Sequence, residues 1–188
     1  MTEPILSAGS PRNELLTALR LHTVDLHRRL DERISETSIL TSEGYLRFLT
    51  MHARVLPAVE TWLSSRADFV EMPESQERLR TSALNSDFEA LGIALPPSRN
   101  MSFLNETASV AGICYVLEGS RLGGAYLVRQ ISRSGSDQPS NFLNHGREKS
   151  LWSSFLAWLA ARELSPAGIG RATEAAESMF GAYLSALE

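Results

Sequence analysis

Apolar residues recur along this chain at spacings of three and four, and almost nowhere in alternation. Spacings of three and four line one side of an α-helix, whereas alternation lines one face of a strand. No run of Val, Ile, Thr and aromatic residues alternates between turn clusters, so the pattern predicts helices alone. The first is expected from Ser10, an N-cap residue followed by Pro11 at the first helical position, to about Arg33. Leu15, Leu16, Leu19, Leu26 and Leu30 form its apolar side.

A second helix is predicted over about 43–65, with Leu46, Leu49, Ala53, Leu56 and Leu63 in register and a bend at Pro57. A third is predicted over about 75–91, capped by Ser75 and stopped at Gly92, before "LPPSRN" breaks the chain. A fourth runs from about Ser102 to Arg133, and "SGSDQPSN" follows as a loop. The last two lie near 147–163 and 167–187, separated by "LSPAG". The expectation is an all-α single domain over 1–188, six or so helices in an irregular bundle, with residues 1–10 as a disordered tail.

Composition refines this picture only by exclusion. The 188 residues, 43% apolar and 21% charged, are enough for one domain with a core. A net charge of −4 gives no global attraction to nucleic acid or anionic membrane. The single cysteine, Cys114, suits a reducing compartment, and "MTEPILSAGSPRNE" lacks the features of a signal peptide. No window is apolar enough to span a bilayer, so a cytoplasmic location is expected. No phosphate loop, dinucleotide fingerprint, HExxH, paired CxxC or GxSxG is present.

Candidate chemistry therefore narrows to histidines and glycines. In "LRLHTVDLHRRLDE", Asp31 lies four residues after His27 and Arg20 seven before it, all on one helix face. Asp31 is placed to accept from His27 Nδ1–H, which would leave Nε2 free as a metal ligand. A surface His–Asp pair on an amphipathic helix is the alternative from spacing alone. His22 sits about 140° away around the helix. His52 reads as a half-buried packing residue, His145 as solvated, and Cys114 as a small buried hydrophobe.

The fourth helix carries Gly119, Gly123 and Gly124, each costing about 1 kcal/mol against alanine in a helix. A strip without Cβ atoms admits either a neighbouring helix or a planar ligand. Gly124, beside the Gly119–Gly123 pair, tilts the reading toward a ligand.

The pattern Leu19, Arg20, Thr23, His27, Leu30, Asp31 resembles the proximal helix of the haem oxygenase family, and "YVLEGSRLGG", residues 115–124, its distal helix. "NFLNHGREKSLWSSFLAWL" and the last helix are similar to the family more weakly, so the resemblance covers about residues 12 to 187. It is nearest to the bacterial branch associated with bacteriophytochromes. The resemblance implies a haem held between the two helices and oxidised by O₂ to biliverdin, with release of CO and iron. Haem would be both cofactor and substrate, and a ferredoxin or flavoprotein reductase would supply electrons. On that basis His27 would be the one protein ligand to iron. Asp31 would orient it, and Arg20 would hold a propionate. Gly119, Gly123 and Gly124 would clear the distal face, and Ser120 would stand where animal members carry an aspartate that organises proton-relaying water. The second propionate has no obvious partner beyond Lys149. Other readings are a non-catalytic haem carrier or sensor on the same fold, a thiaminase-like enzyme, and an interaction bundle. Cys114, in an apolar run with Glu118 as the one nearby acid, speaks against the thiaminase-like reading.

Overall fold

The computed structural model describes residues 14–188, so the expected tail and the Ser10–Pro11 cap lie outside the described residues. Nine helices and no strand occur among them. Six have ten or more residues: α1 (Glu14–Ser35), α2 (Ser42–Ser64), α5 (Thr81–Ala90), α6 (Val110–Ser134), α8 (Leu151–Ala160) and α9 (Pro166–Ala186). Three are single turns: α3 (Ala67–Val70), α4 (Ser75–Arg78) and α7 (Asn141–Asn144). No described helix is long and apolar enough to cross a membrane.

The helix ends follow local capping. Thr41, Ser109 and Ser165 each accept a hydrogen bond from the backbone N–H three residues on, which starts α2, α6 and α9. Gly135 ends α6 at φ 69°, a left-handed conformation that only glycine adopts without strain. α9 runs through the bundle and packs on α1, α2 and α6. Leu19, Tyr45, Leu49, Leu56, Ile113, Phe155 and Met179 are fully buried in the common core. α6 meets α9 closely at Gly112, where a Cβ would collide with the Ala172 carbonyl oxygen.

The predicted third helix is two helices separated at Leu79–Arg80. Ser75 is not its cap: Glu74, at φ 55°, precedes α4 without a side-chain cap bond. The break has a tertiary cause. The buried Glu60 carboxylate, on α2, accepts from the backbone N–H of Arg80 at 2.6 Å and of Thr81 at 2.9 Å. Those donors therefore point to α2 instead of continuing the turn below. The fourth predicted helix begins at Val110, eight residues later than expected. Asn105 Oδ1 accepts from the backbone and hydroxyl of Thr107 and holds that segment in a turn. α3 and α7 are additions to the sequence pattern, and α7 starts where buried Asp87 accepts from the N–H groups of Asn141 and Phe142.

Candidate active site

A cavity of about 400 Å³ lies between α1 and α6, closed by α2, α8 and α9. Its wall from α1 consists of Thr23, His27, Leu30 and Ile34, one face at helical spacing. The facing wall from α6 contains Gly119, Ser120, Gly123 and Gly124. Phe48, Met51 and His52 come from α2, Trp152 from α8, and Phe180 and Tyr183 from α9. Among the described residues, no acidic side chain, lysine or arginine lines it. Its size is that of an ordinary small-molecule site, and its lining is mainly apolar, as such sites are.

His27 Nδ1 lies 3.0 Å from Asp31 Oδ2, and the ring stands edge-on to Phe180 at 5.8 Å. That separation puts the Asp31 carboxylate beside Nδ1, on the side of the ring away from Nε2. Both side chains are more than 60% exposed, so the pair adds little to stability. Its consequence is local, a carboxylate held beside one ring nitrogen.

The glycines of α6 separate by function of space. A Cβ on Gly119 would meet only Trp152 at 3.9 Å, and one on Gly123 would meet nothing within 4 Å. A Cβ on Gly124 would touch Leu143 at 3.4 Å. Gly119 and Gly123 receive no neighbouring helix backbone, and Gly124 meets α7 only at ordinary contact distance, 3.8 Å to Leu143 O. The close approach of a helix backbone belongs to Gly112, two turns earlier. The open strip faces the His27 wall across the cavity.

Behind Ser120 lies a polar cluster. Ser120 donates its hydroxyl proton to Leu117 O at 2.7 Å and accepts from Arg80 Nη2 at 2.9 Å. Arg80 is 4% exposed and lies over the Phe142 ring. Nearby, Glu118 accepts from Arg78 at 2.8 Å and from Arg121 at 3.0 Å, all three buried or nearly so. Burial first, then the Arg80 charge, lowers the Arg121 guanidinium to about 10.

His52 departs from expectation: it is buried, wedged among Phe48, Phe142 and Tyr183, and it lines the cavity. Its Nδ1 and the Tyr183 hydroxyl are buried without a hydrogen-bond partner among the described residues. Burial, and then the Arg80 charge, hold His52 well below the ordinary histidine range, so the ring is neutral at pH 7.

The family profile described as Heme oxygenase matches residues 13–188. The chain belongs to the haem oxygenase family. A curated relative named Heme oxygenase, from Xanthomonas campestris pv. campestris (strain 8004), is 28% identical over 151 residues, covering 77% of this chain and 88% of that protein. The fold is similar to that of the NO- and CO-bound heme oxygenase from Neisseria meningitidis, with a TM-score of 0.75. That match has 23% identity and covers 92% of this chain and 89% of the other.

For this haem oxygenase family member, the fold brings His27, Asp31, Gly119, Ser120, Gly123 and Gly124 to one cavity or its rim. Arg20 does not join them: it is exposed and lines no part of the cavity. Lys149 is exposed at the surface, paired with Glu77 at 3.1 Å. His22 bonds Glu177 away from the site. His145 is half-buried rather than solvated, and burial, with Arg121 next, lowers its pKa. Cys114 is buried, and burial pushes its thiol up, away from reactivity. Sequence reasoning missed Arg80 and Tyr183 and undervalued His52. They come from segments whose local pattern carries no chemical signature.

Proposed function

We propose that this protein is a haem oxygenase enzyme, cleaving haem oxidatively to biliverdin with release of CO and iron. One observation carries the reading. A histidine with a carboxylate beside its Nδ1 faces, across an apolar cavity, a helix strip where missing Cβ atoms leave open space. A flat apolar macrocycle with a central metal fits that pair of walls. Haem, when bound, supplies both the iron centre that activates O₂ and the ring that is oxidised.

The chain's own residues divide the remaining work. His27 holds the iron through Nε2, and Asp31 keeps Nδ1 protonated and the ring oriented. Gly119 and Gly123 let the ring approach the α6 backbone, and Gly124 keeps the strip low beside Leu143. Arg20, two turns before His27 and outside the cavity lining, meets a propionate only where that group projects beyond the cavity. Ser120 spends its one proton on Leu117 O and therefore meets a distal water as an acceptor, not as an acid. Proton delivery falls instead to water held by the neutral His52 ring and the Tyr183 hydroxyl, whose polar atoms are otherwise without partners. The absence of a carboxylate from the cavity lining favours oxidation of the ring over the chemistry a strong distal acid would promote.

Electrons come from a ferredoxin or flavoprotein reductase. The resemblance to the bacterial branch associated with bacteriophytochromes implies a functional link to such a photoreceptor, with biliverdin as the shared molecule. A functional link of that kind is tested by asking whether the product loads an apo-bacteriophytochrome.

The decisive experiment adds hemin to the purified protein and then ascorbate or a ferredoxin reductase system. A sharp Soret band that converts to biliverdin absorption is expected. A Soret band that persists unchanged would leave a carrier or sensor, and no Soret shift would reject haem altogether. The His27→Ala variant is expected to keep its helical circular dichroism while losing the wild-type Soret position, with recovery on adding imidazole. An unchanged Soret position and affinity in that variant would overturn the ligand assignment.

A further inference from the structure

We propose that a second, smaller cavity, bounded by α6, α7 and the start of α8, binds a small inorganic anion. This goes beyond haem cleavage, and its test on the haem-free protein stands whether or not that reading holds. The cavity measures about 150 Å³ and shares Ser120 and His52 with the large one. Arg80, Arg121, Arg147 and Lys149 line it, and among the described residues no aspartate or glutamate does.

Arg80 makes the case. Its side chain is buried, yet no carboxylate of the described residues pairs with its guanidinium. The buried Glu60 carboxylate accepts from the Arg80 and Thr81 backbone N–H groups and forms no ion pair with the guanidinium. Leu117 O, Ser120 Oγ and the Phe142 ring accept from or cover the guanidinium but carry no charge. Buried charges are ordinarily paired, because an unpaired one forfeits its hydration without compensation.

The surroundings increase the imbalance. Glu118 is shared by Arg78 and Arg121 and does not reach Arg80; Glu74 reaches Arg78 only from the exposed edge. His145, also on the cavity wall, has a buried Nδ1 without a partner, and its ring is disfavoured from charging by burial, Arg121, Arg80 and Lys149. A halide or phosphate at this point would neutralise Arg80. The exposed Arg147 and Lys149 at the rim provide an electropositive entrance. Through the Arg80–Ser120 hydrogen bond, the occupant would also act on the wall of the haem cavity.

Calorimetric titration of inorganic phosphate and, separately, chloride into the haem-free protein at fixed ionic strength tests this. Saturable one-to-one binding of either ion is expected, weakened at least tenfold in Arg80→Met and at least threefold in Lys149→Ala. Glu77→Gln, which frees Lys149, is expected to tighten it, and Arg129→Ala, remote from the cavity, to leave it unchanged. Should Arg80→Met fail to fold, the opposite shifts in Lys149→Ala and Glu77→Gln still decide. Absence of saturation with both ions, or affinities indifferent to these substitutions, overturns the proposal. Hemin-loaded protein is expected to retain saturable anion binding, with the affinity shifted by the shared Ser120 wall. Loss of that affinity on hemin binding would mean that the pocket serves a haem carboxylate, and the free-anion assignment would fall.

Discussion

Gly112 and Gly123 sit eleven residues apart on α6, look alike in the sequence, and do opposite things. Gly112 lets the α9 backbone in, while Gly123 opens onto a cavity. Alanine should therefore have opposite consequences at the two sites. Gly123→Ala is expected to raise the stability of the haem-free protein by up to about 1 kcal/mol, because it improves helix propensity without a clash. It should weaken haem binding or slow turnover at the same time. Gly112→Ala is expected to cost about 1–3 kcal/mol, since a backbone carbonyl must move to admit the methyl group. Chemical denaturation of both variants, with hemin titration of the first, checks the pair. At this scale the His27–Asp31 pair was legible because both residues lie on one helix, four apart. The Gly119–Gly123–Gly124 strip was legible as a strip, but its purpose depended on what lay opposite.

The interruption between α4 and α5 is a feature of elements, not of single residues. Leu79 and Arg80 have good helix propensity, so nothing local stops the third helix there. The stop comes from Glu60, twenty residues away, whose two oxygens take the next two backbone donors. The same turn directs Arg78 to Glu118 and Arg80 to Ser120, so the break sets the polar layer behind the cavity. Glu60→Gln retains the shape but loses the charge and one acceptor. It is expected to destabilise the haem-free protein by about 1–3 kcal/mol in urea denaturation, the cost of leaving a buried donor unpaired. A shifted Soret band in the haem-loaded variant would accompany it, because Arg80 is anchored through this turn. A variant with wild-type stability would show that the break does not depend on Glu60.

For the molecule as a whole, the buried histidines couple folding to pH. His52 and His145 both have folded pKa values below the ordinary histidine value. The unfolded chain therefore binds more protons than the folded one as pH falls below about 6.5, and stability must decline there. The melting temperature of the haem-free protein is expected to fall between about pH 7 and about pH 5 by more than its carboxylates account for. His52→Phe, which suits the surrounding Phe48, Phe142 and Tyr183 rings, should flatten that decline. A His52→Phe variant with the wild-type pH slope would assign the effect elsewhere. The Arg78–Glu118–Arg121 cluster belongs to this scale too, because it joins α4 to α6, and its members are forty or more residues apart for the longer link.

The sequence alone determined the helical class, the six longer helices, and the two segments that form the main walls of the site, because these rest on periodicities and spacings within one turn or two. Four-residue spacing is a contact by the geometry of the helix itself, so His27–Asp31 needed no fold to be read. The tertiary structure alone decided that Gly119 and Gly123 face open space while Gly112 faces a helix, that Glu60 breaks a chain segment which propensity would continue, and that Arg80, His52 and Tyr183 gather behind and beside Ser120. Those are meetings between distant parts of the chain. Whether such a polar atom finds a partner, a carboxylate or only a neutral oxygen is settled by packing across helices, where local spacing carries no information.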